Sequence, residues 1–160
     1  MSLTLPAIPE FHLPGLLRKV NRRLPQWPHA VSLCVALNGA ARLGVLPTEA
    51  AELCEGRTIC VAVEDGGTEA CVTCRGGRFS PVWRREAEGW NADVSFRGEL
   101  HAYLKLLTRQ EDPDTLFFNR QLTIEGDTEL GLAIKNLLDA IELPPGLERF
   151  RARFLAQKTA

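Results

Sequence analysis

The chain has 160 residues, of which 45% are hydrophobic and 24% charged. That length supports a single core burying roughly 70% of the unfolded chain's surface, and the composition excludes wholesale disorder. Nineteen basic against 20 acidic residues give a net charge of −1, which excludes a protein built on one strong field, such as a bulk nucleic-acid binder.

The charge is nevertheless segregated. Residues 1–30 carry Arg18, Lys19, Arg22 and Arg23 against Glu10, and residues 144–160 carry Arg149, Arg151, Arg153 and Lys158 against Glu148. Each end is therefore +3, while 11 basic and 18 acidic residues leave 31–143 at −7. Basic ends on an acidic body point to an anionic surface or an acidic partner. The opening MSLTLPAIPEF lacks the basic and apolar regions of a secretory signal. The 18 uncharged residues between Arg23 and Arg42 include Pro25, Gln26, Pro28, His29, Ser32 and Asn38, too polar for a bilayer span of about 20 apolar residues. Five cysteines, an odd number without a signal, predict reduced thiols in a cytoplasm.

Residues 10–24 predict a helix with Leu13, Leu16, Leu17, Val20 and Leu24 on one face and the four basic residues interleaved. Pro25 and Pro28 end it. Residues 30–44 are apolar nearly all round, which predicts a helix buried in the core, and Pro47-Thr48 opens a short helix. Three strands follow over 58–63, 69–74 and 78–83, separated by Asp65-Gly66-Gly67 and Gly76-Gly77. Pro81 marks the third as an edge strand. A fourth strand covers 92–97. Leu100, Tyr103, Leu104 and Leu107 have helical spacing, Asp112-Pro113 reads as a cap with proline at the first helical position, and 122–125 reads as a short strand. Asp127 then caps a helix presenting Leu130, Ile134, Leu137, Leu138 and Ile141. Pro144-Pro145-Gly146 stops it, and Leu147, Phe150 and Phe154 outline a last basic amphipathic helix. The order predicts an α+β fold, with a mainly antiparallel sheet of about five strands backed by helices.

Few residues suggest chemistry. Cys71-Val72-Thr73-Cys74 resembles a metal or redox pair, but on a strand residues three apart point to opposite faces. Cys54 and Cys60 have no usual zinc spacing, so the pair reads as small buried hydrophobes plus an exposed thiol. His12, His29 and His101 sit in no nucleophile motif, and no phosphate-binding loop is present. The acidic clusters Glu111, Asp112, Asp114 and Glu125, Asp127, Glu129 fall at helix starts, where capping accounts for them. No enzyme, cofactor or metal site is expected. The helix over 10–24 fits equally a helix packed on the core and one lying in a headgroup layer, whereas 147–155 fits packing better.

Three strings carry a family resemblance: Ala92-Asp93-Val94-Ser95-Phe96, then 112–118, then Leu122-Thr123-Ile124-Glu125-Gly126-Asp127-Thr128-Glu129-Leu130-Gly131. Together they resemble the sterol carrier protein type 2 lipid-binding domain. The string from Glu125 to Gly131, with Lys135-Asn136-Leu137 and 139–143, is similar to the bacterial subgroup of that family that assists ubiquinone biosynthesis. The likeness covers roughly 30–143, which divides the chain into a basic N-terminal segment (1–27), a lipid-binding domain (28–143) and a basic C-terminal helix (144–160).

The resemblance implies a sheet and helices enclosing an apolar lipid cavity, and no catalysis. It also implies an accessory role in oxygen-independent ubiquinone synthesis beside two peptidase-like iron–sulfur proteins. The ligand would be a prenylated quinone intermediate, membrane phospholipid or both. The expected lining is Phe96, Tyr103, Leu104, Leu107, Phe117, Leu130, Ile134, Leu137 and Ile141. Arg18, Lys19, Arg22, Arg23, Arg149 and Arg153 are the expected membrane or headgroup contacts. The expected location is the cytoplasm, with peripheral contact to the inner membrane. A scaffold with a filled core and no held ligand is the alternative.

Overall fold

Alternation of apolar and polar residues sets the strands, and the punctuating glycines, prolines and aspartates set their ends. In the computed structural model, which describes residues 8–25, 27–83 and 91–141, three helices come first: α1 (Gly15–Asn21), α2 (Trp27–Arg42) and α3 (Thr48–Leu53). Strands β1 (Thr58–Val63), β2 (Thr68–Arg75), β3 (Arg78–Val82) and β4 (Val94–Gly98) follow, then α4 (Leu100–Leu107), α5 (Pro113–Phe118), β5 (Leu122–Gly126) and α6 (Thr128–Ala140). The strands form one sheet in the order β3-β2-β1-β4-β5. Among the described strands only the β1–β4 pair is parallel. The fold is the expected α+β class.

Gly76 and Gly77 adopt φ of +57° and +72°, the left-handed pair that a two-residue turn between β2 and β3 requires. Both predicted caps form: Asp112 accepts from Thr115 N at 2.8 Å and Asp127 from Leu130 N at 3.0 Å. β3 lies at the sheet edge, as Pro81 predicts. There the Asn38 amide of α2 bonds both backbone groups of Phe79, donating to its carbonyl at 2.8 Å and accepting from its N–H at 3.0 Å.

The pleat sorts the strand residues into two layers. Ile59, Val72, Cys74, Phe79, Val94 and Phe96 pack with Cys34 of α2, Cys54 after α3 and Leu130 of α6. A smaller cluster of Ala102, Leu116 and Leu122 joins α4, α5 and β5. The opposite sheet face carries Arg97, whose Nε donates to Glu125 Oε2 at 2.9 Å and whose Nη2 lies 4.0 Å from Glu69 Oε1.

Two expectations are corrected. Cys60 and Cys71 are joined by a disulfide, so this pair is not reduced, and neither Cys71 nor Cys74 is exposed. The cause is register: antiparallel pairing sets Cys60 opposite Cys71 with Cα atoms 4.1 Å apart, a relation invisible in the spacing of the cysteines. Cys34, Cys54 and Cys74 are free and buried. Second, α2 is not buried all round. Ala30, Leu33, Cys34 and Leu37 face the sheet, but Trp27 is 56% and Val35 67% exposed. A single sheet face can cover only one side of the helix laid on it.

Candidate functional site

The first candidate region is the interior between sheet and helices. Phe96 and Leu130 lie in the main cluster, with Ile134 and Phe117 packed against it. Phe117 also touches the second cluster, which Tyr103 borders. Leu104, Leu137 and Ile141 are half-buried, and Leu107, at the end of α4, is 58% exposed. Eight of the nine predicted lining residues are thus wholly or partly buried, and four of them share one cluster.

Tyr103 does more than its apolar spacing suggests. Its hydroxyl lies 2.9 Å from the Ala62 carbonyl and 3.1 Å from that of Phe96, to which it donates. It thereby stitches α4 to the β1–β4 pair. Burial, reinforced by Glu64 and opposed by Arg97, raises its pKa.

The second region is the surface of α1 and α2. Leu16, Leu17, Val20 and Leu24 are all exposed, and no residue of α1 is buried. The apolar face predicted for 10–24 is therefore largely open on α1, while Leu13 and Asn21 at its two ends are half-buried. Trp27, Val31 and Val35 follow at helical spacing on α2 and are exposed too. Arg18, Lys19, Arg22 and Arg23 are exposed among them, with no carboxylate partner among the described residues. Arg149, Arg153 and the rest of 142–160 lie outside the described residues.

A cleft of about 850 Å³ separates this N-terminal segment from the β1–β2 turn. Arg18, Arg22, His29, Glu64, Glu69 and Arg97 line it, so its walls are polar and mixed in charge. The segment is tied down beside it: Leu13 N donates to Asp65 at 3.1 Å and Asn21 to the Gly66 carbonyl at 3.0 Å. Sequence reasoning missed Asp65, which also accepts from Leu100 N at 2.9 Å. Its place in a turn signal gave no sign of a role in joining three segments. His12 and His101 both reach Glu99 Oε2, at 2.7 and 3.2 Å.

Residues 47–139 match the profile of the SCP-2 sterol transfer family. The chain belongs to that family. Within it, the chain is 46% identical over 92 residues to the ubiquinone biosynthesis accessory factor UbiT of Escherichia coli (strain K12), and equally to that of Escherichia coli O157:H7. Those alignments cover 58% of this chain and 50% of each relative, so the chain spans about half the length of the curated relatives it matches. A solved structure described as a UbiJ-SCP2 ubiquinone synthesis protein superposes with a TM-score of 0.56 at 19% identity. It covers 77% of this chain and 99% of that one, a likeness of fold.

The strings that signal the SCP-2 family are structural parts here. Asp93 clamps β1, accepting from Thr58 N at 2.7 Å through its side chain while its N–H donates to the Thr58 carbonyl at 2.9 Å. Gly126 has φ +92°, and a Cβ there would stand 2.5 Å from the Asp93 carbonyl oxygen. Gly131 lets α6 rest on Ile124 and Val94. No helix among the described residues is long and apolar enough to cross a membrane.

Proposed function

We propose that the chain is a lipid-binding accessory factor for ubiquinone biosynthesis, without a reaction of its own. It would hold prenylated quinone intermediates, membrane phospholipid or both, and present them to partner enzymes of an oxygen-independent route, two peptidase-like iron–sulfur proteins among them. The observation that carries this reading is membership of the SCP-2 family combined with 46% identity to an accessory factor for that pathway. Tail burial supplies the affinity, because each buried CH₂ contributes about 0.8 kcal/mol. The lining would come from the nine residues named above, with the headgroup near the basic N-terminal segment. Arg18 and Arg22, which line the polar cleft, suit that position.

Docking would use the exposed apolar residues of α1 and α2. Each basic residue near an anionic bilayer adds about 1 kcal/mol, and salt weakens the attraction. The working location would be the cytoplasm, at the inner membrane's surface. Protein purified from a bacterium is expected to carry extractable lipid identifiable by mass spectrometry, and to take up a fluorescent acyl probe. It should float with anionic liposomes at low salt and lose that binding as salt rises. No lipid and no probe uptake would sink the ligand-holding reading.

The packed clusters around Phe96, Phe117, Leu130 and Ile134 favour a second reading, a membrane-associated scaffold with a filled core. Ile134→Trp separates the two. With a cavity, it abolishes probe uptake at little cost in stability; with a filled core, it costs about 1–3 kcal/mol by overpacking.

A further inference from the structure

We propose that Cys60, Cys71 and Glu69, when the two cysteines are reduced, form a binding site for a thiophilic divalent cation such as Zn²⁺. Antiparallel register sets Cys60 directly opposite Cys71, and Glu69 opposite Ala62. Glu69 precedes Cys71 by two residues, so all three side chains leave the same face of the sheet. The two sulfurs and a carboxylate oxygen of Glu69 lie within 4.8 Å of one another. Both cysteines are almost wholly buried on adjoining central strands, which holds the ligands in place before a metal arrives.

The ligand types select the cation. Thiolates favour zinc and its soft neighbours over magnesium or calcium, and three protein ligands leave a fourth tetrahedral position for water. Two thiolates and a carboxylate bring three negative charges against the ion's two positive ones. The Arg97 guanidinium, 4.0 Å from Glu69, offsets the remainder. The other three thiols lie away from this group: Cys34, Cys54 and Cys74 belong to the core cluster on the other face of the sheet.

The disulfide and the metal are alternative occupants of one pair. A dithiol reductant such as dithiothreitol breaks the S–S bond by giving it two electrons and two protons, and itself closes to a cyclic disulfide. Cation binding then releases the two thiol protons.

The test titrates the full-length chain with Co²⁺ and then Zn²⁺, once reduced and desalted without oxygen and once oxidised. The reduced chain is expected to take up one Co²⁺ with the thiolate-to-cobalt charge-transfer band, and Zn²⁺ should displace it. The oxidised chain should show no band. Glu69→Gln should weaken binding by at least about tenfold, the loss that even outer-shell partners cause. No band in the reduced chain overturns the proposal. So does a band that survives oxidation, because Cys34, Cys54 and Cys74 remain free in that form and would then hold the metal. Unchanged affinity in Glu69→Gln overturns the three-ligand site. Cys60→Ser/Cys71→Ser should also abolish the band, and the oxidised chain supplies the same comparison without any substitution if that variant fails to fold.

Discussion

At the scale of single residues, Tyr103 shows how an apolar pattern conceals a polar task. Helical spacing marks it as lining, and its ring is indeed largely buried, but its hydroxyl is anchored on the Ala62 and Phe96 carbonyls. Removing that oxygen by Tyr103→Phe should cost about 1 kcal/mol in urea unfolding. The same variant tests a pH dependence. An exposed tyrosine ionises near its ordinary 10.0, whereas burial holds Tyr103 neutral to higher pH. A raised pKa gives stability that is full below the unfolded value and lost as pH rises above it. Cys54 acts in the same direction, pushed by burial and by Cys74 from 9.0 up to about 11. Stability should therefore fall as pH climbs from about 9. The fall should be shallower in Tyr103→Phe, and a slope equal to that of the unaltered chain would refute the role given to the phenol.

At the scale of elements, α6 and β5 meet through Gly131. Replacing a helical glycine by alanine ordinarily gains up to about 1 kcal/mol. Here a Cβ would overlap the Ile124 side chain and stand 3.2 Å from Val94 Cγ2. Both neighbours are β-branched and stiff, so neither yields easily. Overpacking of about 1–3 kcal/mol wins, and Gly131→Ala should lower the urea midpoint rather than raise it. The strands, caps and glycine turns were legible because each depends on residues close in sequence: Asp112 and Asp127 cap as their spacing says, and Pro81 sits on an edge strand. The outward faces of α1 and α2 were not legible. Periodicity shows that Leu16, Val20 and Leu24, or Trp27, Val31 and Val35, share a face, but says nothing of whether another element covers it. The Cys60–Cys71 pairing was hidden for a related reason, since it follows from strand register and from no local signal.

At the scale of the whole molecule, the charge division acquires a direction. The four basic residues of the N-terminal segment stand beside exposed apolar side chains on α1, while the acidic body forms the sheet and its backing helices. Of the candidate interior, the burial of Phe96, Leu130 and Ile134 was readable from spacing, whereas spacing does not separate core from cavity wall, because both use the same residue types. Leu107 shares the helical spacing of Tyr103 and Leu104 but stands exposed at the last position of α4, a difference that spacing does not show.

The Asn38 amide on Phe79 has a consequence for assembly. A sheet edge offers a row of unpaired backbone groups to any extended chain, which is how fibrils and strand exchange begin. On β3 the outward N–H and C=O of Phe79 are already taken by Asn38. The next outward position is Pro81, which has no N–H to offer. This margin of the sheet is closed to strand addition, so an extended segment of another protein cannot dock along it. Asn38→Ala should reopen it at a cost of about 1–2 kcal/mol, and the variant should bind thioflavin on mild heating where the unaltered chain does not. A variant that stays free of thioflavin binding would show that the proline alone guards the edge.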